Sequence, residues 1–110
     1  MATYTPKRLG SITQLGTTNS TIYTAAGVKA VIKEILVANT TATAATVTVN
    51  LVPSAGTAQT SNEILDSITL SGYSTLTFKC SQVLEIGDFI VAKAGTSSAL
   101  NIVVSGVEVA

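Results

Sequence analysis

Apolar residues in this chain recur at every second position more often than at every third or fourth, which is the spacing of a pleated strand and not of a helix. Residues 46–51 alternate most regularly, with Val47, Val49 and Leu51 predicted inward and Thr46, Thr48 and Asn50 outward. Residues 29–39 predict the strongest strand, but with apolar side chains on both faces: Val31, Ile35 and Val37 on one, Ile32, Leu36 and Ala38 on the other. A strand apolar on both sides is covered on both sides, by the core on one and by a neighbouring subunit on the other. Shorter strands are predicted over residues 9–15, 21–24, 64–70 (Ile64, Ile68 and Leu70 on one face), 74–79 (Leu76 and Phe78 inward) and 89–94. The last strand, 100–109, changes its apolar face at Ser105-Gly106, the mark of a glycine bulge.

Turn residues separate these runs. Gly16 to Ser20, Ser71-Gly72-Tyr73 and Gly95 to Ser98 read as turns, the last as a hairpin connection, and residues 54–62 as a loop without hydrophobic anchors. Seven or eight short strands at such spacing predict an all-β fold: a two-sheet antiparallel β-sandwich or jelly-roll-like domain. The expected division is an N-terminal arm at residues 1–19, holding at most a short strand, and a sandwich at 20–110. The arm carries few apolar anchors (Leu9, Ile12, Leu15) and is expected to serve as a tether instead of a core element.

Composition sharpens this picture in one respect. The chain of 110 residues is 46% hydrophobic and only 11% charged, and its polarity comes from 18 Thr and 11 Ser. Threonine is β-branched and offers a hydroxyl without a charge, which suits a half-buried pleated surface. Six basic and six acidic residues cancel. Only Lys7 and Arg8 are adjacent among the basic ones, so a nucleic-acid partner is not expected. A neutral, apolar surface is poorly protected from association, and self-association into a homo-oligomer is expected. The longest apolar run, Ile35 to Ala38, is too short to cross a membrane, and no signal peptide opens the chain, so synthesis in the cytoplasm is expected.

Candidate chemistry is sparse. The sequence has no histidine, which excludes Ser-His-Asp and Cys-His nucleophile systems and any histidine-containing metal site. Glu85 with Asp88, and Glu63 with Asp66, are the carboxylate pairs within a few residues of each other, and neither brings the several oxygen ligands of a calcium site. Asp88 is expected to fix its turn by accepting backbone N–H bonds. Cys80 is expected to be an apolar filler. No enzyme activity, cofactor or metal is expected. Lys33-Glu34, two charges inside an apolar strand, read either as edge protection with a cross-sheet partner or as an intersubunit salt bridge. Candidate interface residues are Leu9, Ile12, Ile32, Lys33, Glu34 and Leu36. Tyr73, at a turn tip, is a candidate contact for a host-surface glycan, together with loop 54–62.

The run Tyr23-Thr24-Ala25-Ala26-Gly27, leading into a strand that ends Val37-Ala38-Asn39, resembles a segment of small virion proteins of tailed bacteriophages. Ala45 to Val49, Val52 to Ala58, Glu85 to Ile90 and Val103 to Val109 follow in the same order. Ala25 stands where those proteins carry proline. The resemblance spans residues 22–109 and implies a β-sandwich subunit of a virion: a capsid decoration protein, head fibre or tail accessory protein, trimeric in many cases. It implies capsid or tail proteins and further copies of itself as partners, and no active-site residues.

Overall fold

The computed structural model describes residues 3–110. Nine strands and one short 3-10 turn build two antiparallel sheets packed face to face as a β-sandwich. The first sheet is ordered β1 (Tyr4–Arg8), β9 (Leu100–Val109), β4 (Lys29–Asn39), β7 (Thr75–Leu84), and β2 (Thr13–Gln14) pairs with the same edge of β9 as β1. The second is ordered β3 (Ser20–Thr24), β8 (Phe89–Ala94), β5 (Ala45–Val52), β6 (Glu63–Leu70). The 3-10 turn, Thr60–Asn62, sits in the loop between β5 and β6. From β2 onward the chain changes sheet at every connection except β5–β6, so strands adjacent in sequence seldom pair. Gly95 to Ser98 is therefore not a hairpin: β8 and β9 lie in opposite sheets, and the turn carries the chain across the sandwich.

Between the sheets lies one core, filled by Leu9, Leu15, Ile32, Ile35, Leu84, Ile90, Leu100 and Ile102 with Val37, Val47 and Val49, all essentially without solvent contact. Each such side chain contributes about 1.5–3 kcal/mol by leaving water. Leu9 and Leu15 belong to this core, which corrects the reading of a weakly anchored arm. Tyr4 to Arg8 form a full ladder with Val109 to Ser105, the Leu9 N–H donates to the Val104 carbonyl, and the Leu15 N–H donates to the Leu100 carbonyl. Residues 1 and 2 of the expected arm lie outside the described residues.

The central strand β4 departs from simple alternation. Its pairing to β9 runs Ile32 with Gly106 and then Glu34 with Ser105, so Lys33 is an extra residue, a β-bulge. The bulge reverses the parity of the strand. Ala30 and Ile32 before it, and Ile35, Val37 and Asn39 after it, all face the core. Ile32 therefore shares a face with Ile35 and Val37, not with Leu36 and Ala38. The irregularity expected at Ser105-Gly106 lies on the facing strand, while β9 buries Leu100, Ile102, Val104 and Gly106 in unbroken alternation. Gly106 has no room for a side chain: a Cβ there would collide with the Val31 carbonyl oxygen and the Leu9 side chain. In β6 a second irregularity, with Ser67 at φ 48°, places Leu65, Ile68 and Leu70 opposite Val49, Val47 and Ala45, in place of the expected Ile64 set.

Candidate interaction surfaces

Directly opposed residues of an antiparallel ladder share a face, so the registers define the outer face of the first sheet. One row across it is Pro6, Val107, Val31 and Val83, flanked by Tyr4 beside Val109. The next row is Arg8, Ser105, Glu34 and Lys79, and the row after it Val103, Leu36 and Thr77. Val31, Leu36, Val103, Val107 and Val109 are half-buried by their neighbours within the sheet, and among the described residues no other segment buries them fully. Val83 and Tyr4 at the margins are 50% and 68% exposed. The face is thus two apolar bands separated by a row that carries Arg8, Glu34 and Lys79, with Lys29 beside Val109 at the margin of the first band.

The candidate residues fall in different places. Leu36 lies in the second apolar band and Glu34 in the charged row. Glu34 is opposite Lys79 across the β4–β7 ladder, an opposite-charge pairing. Lys33 is exposed on the bulge, its Nζ 3.5 Å from Ser81 Oγ, at the outer limit of a hydrogen bond. Neither charge forms a salt bridge among the described residues, where the ion pairs are Lys7–Glu108 and Lys29–Glu85. Leu9 and Ile32 are wholly buried in the core, which withdraws them as surface contacts. Ile12 is exposed beside β2, apart from the apolar bands. Tyr73 is exposed at a turn that is itself held firmly: its N–H donates to the Thr41 carbonyl, and a Cβ on Gly72 would collide with the Ala42 backbone. Asp88 acts as its sequence suggests, accepting from the N–H groups of Ser54 (3.0 Å) and Glu85 (2.9 Å). Cys80 packs at the core margin, its Sγ 3.6 Å from the Ile32 carbonyl oxygen.

The chain matches no family model, no curated protein and no solved structure.

The second sheet presents a different outer face. The 53–62 segment folds over it, with Gly56 against Val52, and Val52 and Val91 are buried although they point away from the core. Asn50 anchors this cover: its Nδ2 donates to the Gln59 carbonyl (3.0 Å) and to Asn62 Oδ1 (2.7 Å). Beside the cover lie two adjoining polar hollows of about 150 and 250 Å³ that share Lys93 as a wall. Alternation alone points Thr48 and Asn50 outward; it gives no sign that the 53–62 segment would return to bind Asn50.

A polar link joins the sheets at one end. The Tyr23 hydroxyl, on β3, donates to the Glu108 carboxylate on β9, which also pairs with Lys7 of β1 at 3.4 Å. The Tyr23 hydrogen bond and the Lys7 charge hold the Glu108 carboxyl below its ordinary range. Burial, and then the nearby carboxylate, push the Tyr23 phenol well above its own.

Proposed function

We propose that this protein is a non-catalytic structural subunit that assembles through the outer face of its first sheet, binding copies of itself and a larger lattice. The observation that carries this reading is the pair of apolar bands around Val31, Leu36, Val103 and Val107, which the chain leaves uncovered on a molecule of zero net charge. Packing a second copy against these bands removes apolar area from water, and the Glu34–Lys79 row between them supplies charges that fix orientation. A closed ring satisfies every copy of such a face. The resemblance to small virion proteins of tailed phages favours three copies and a place on a capsid or tail, as a decoration, head-fibre or tail accessory subunit.

Sedimentation velocity of the wild type beside Leu36→Lys and Val107→Lys tests the reading. The wild type is expected to sediment as a discrete oligomer, and both variants as folded monomers. A wild type that stays monomeric at high concentration removes the basis for self-assembly. Peptide mass spectrometry of purified particles, from a phage whose genome encodes the chain, tests the virion placement separately.

A further inference from the structure

Among the described residues, three polar side chains are buried, Asn39, Thr48 and Asn50. Asn39 is consumed by the fold: its Nδ2 donates to the carbonyls of Thr43, Leu70 and Ser71, and its Oδ1 accepts from the N–H and hydroxyl of Thr41. The other two line the hollows of the second sheet, one each, and are only partly used. Asn50 donates through Nδ2 to loop 53–62, but among the described residues no protein donor reaches its Oδ1. Since no buried polar atom is left without a partner, that oxygen opens on the hollow. Thr48 Oγ1 accepts from the Ser67 N–H at 3.1 Å, and among the described residues its own hydroxyl hydrogen has no protein acceptor. Asn50 and Thr48 are two residues apart on β5, so an acceptor and a donor lie about 7 Å apart on one face. Above them stand Glu63, opposite Asn50, and Lys93, opposite Thr48. These opposite charges line the same hollow without forming a salt bridge.

We infer that this groove binds a short saccharide. Partly spent amide and hydroxyl groups beside a carboxylate and an ammonium match the vicinal hydroxyls of a sugar, each of which both donates and accepts. Glu63 accepts from hydroxyls, Lys93 donates to them, and Asn50 Oδ1 and Thr48 Oγ1–H read a neighbouring pair. The groove has no aromatic platform, so each site is weak, with a Kd of about 1 mM, and assembly into an oligomer supplies avidity. It lies on the opposite side of the sandwich from the apolar bands and stays open when those bands are covered. The binding itself does not depend on self-assembly.

The test is a series of two-dimensional amide NMR titrations of the full chain with glucose, galactose, N-acetylglucosamine, glucuronate and, as a control, inorganic phosphate. At least one sugar is expected to give saturable shifts at Thr48, Asn50, Glu63 and Lys93. Lys93→Ala and Glu63→Gln are each expected to weaken it about tenfold, without change in melting temperature, and Tyr73→Ala to leave it unaltered. Three results overturn the inference: no saturable shift with any of the sugars, shifts at Lys93 with phosphate alone, or binding that survives Lys93→Ala and disappears with Tyr73→Ala.

Discussion

The two outer faces of the sandwich solve the same problem in different ways. Each carries apolar side chains that point away from the core. On the second sheet Val52 and Val91 are buried, and loop 53–62 lies against Val52 and Asn50, held by the Asn50 and Asn62 amides. On the first sheet, among the described residues, nothing comparable lies over Val31, Leu36, Val103 and Val107; charge stands in the row between them and at Lys29, beside Val109 at the margin. A face closed by its own loop is finished within one molecule. A face left half-buried, on a chain without net charge, is the one proposed to take a partner.

Two adjacent residues of β4 break this contrast most sharply. Ile35 is wholly buried and Leu36 half-buried on the outer face. Ile35→Lys places a charge in the core, which costs several kcal/mol, and circular dichroism is expected to show an unfolded chain. Leu36→Lys is expected to keep the wild-type β spectrum and a cooperative melt, losing only association. If both variants unfold, the outer face is part of the folded monomer's stability and not an interface.

The next largest effect concerns the strand that borders the uncovered face. Leu9 fills the space that Gly106 leaves open, so Leu9→Ala opens a cavity and is expected to lower stability by about 2–5 kcal/mol in urea denaturation. A loss below about 0.5 kcal/mol, the ordinary value for surface positions, restores the reading of the arm at residues 1–19 as a tether.

Much of the fold was legible in the sequence, and the failures have two physical causes. The strands, the two-sheet architecture and the inward set Val47 and Val49 follow from alternation and turn residues. The faces of β4 and β6 do not, because Lys33 and the Asp66-Ser67 region each add a residue to one strand only, and one extra residue flips every side chain beyond it. A bulge has no side-chain signature when, as at Lys33, no glycine marks it. Leu9 and Leu15 were misread for a different reason. Flanked by Gly10, Ser11 and Gly16, they show no run of alternation, and their burial comes from the long-range ladder to β9. The polar hollows were invisible for the same reason, since Asn50 meets Gln59 and Asn62 only through the return of a loop.

Removing that loop's anchor turns the second face into a copy of the first. Asn62→Ala deletes one of the two acceptors of Asn50 Nδ2, the acceptor of the Gln59 N–H and the donor to the Thr57 carbonyl. Leaving such a group unsatisfied costs about 1–3 kcal/mol. Loop 53–62 is expected to loosen and uncover Val52 and Val91, with increased binding of a hydrophobic dye and association that persists in the Leu36→Lys background. A double variant that remains monomeric and dye-free shows that the loop holds without this amide.

The smallest expected effect lies at the polar link between the two sheets. Glu108 has its folded pKa below the ordinary 4.5, held down first by the Tyr23 hydroxyl and then by Lys7. A carboxyl whose folded pKa is depressed contributes stability that is fully present above its unfolded pKa and is lost as pH falls through the folded one. The loss therefore begins near the ordinary glutamate range and is complete once Glu108 is protonated in the folded state. Tyr23 acts at the other end of the scale. Its folded pKa is raised above the ordinary 10.0, so its contribution is fully present below that value and is lost as pH rises through the folded pKa. Glu108→Gln keeps a hydrogen-bond acceptor for the tyrosine and removes the titration. Urea midpoints of wild type and Glu108→Gln, measured from neutral pH into acid, are expected to differ modestly at pH 7 and to converge as Glu108 protonates, because both faces of the link are partly solvated and screened. A difference that stays constant from neutral pH to acid shows that the Tyr23–Glu108–Lys7 contact is carried by geometry alone, and that the two sheets are held together by their apolar core without help from charge.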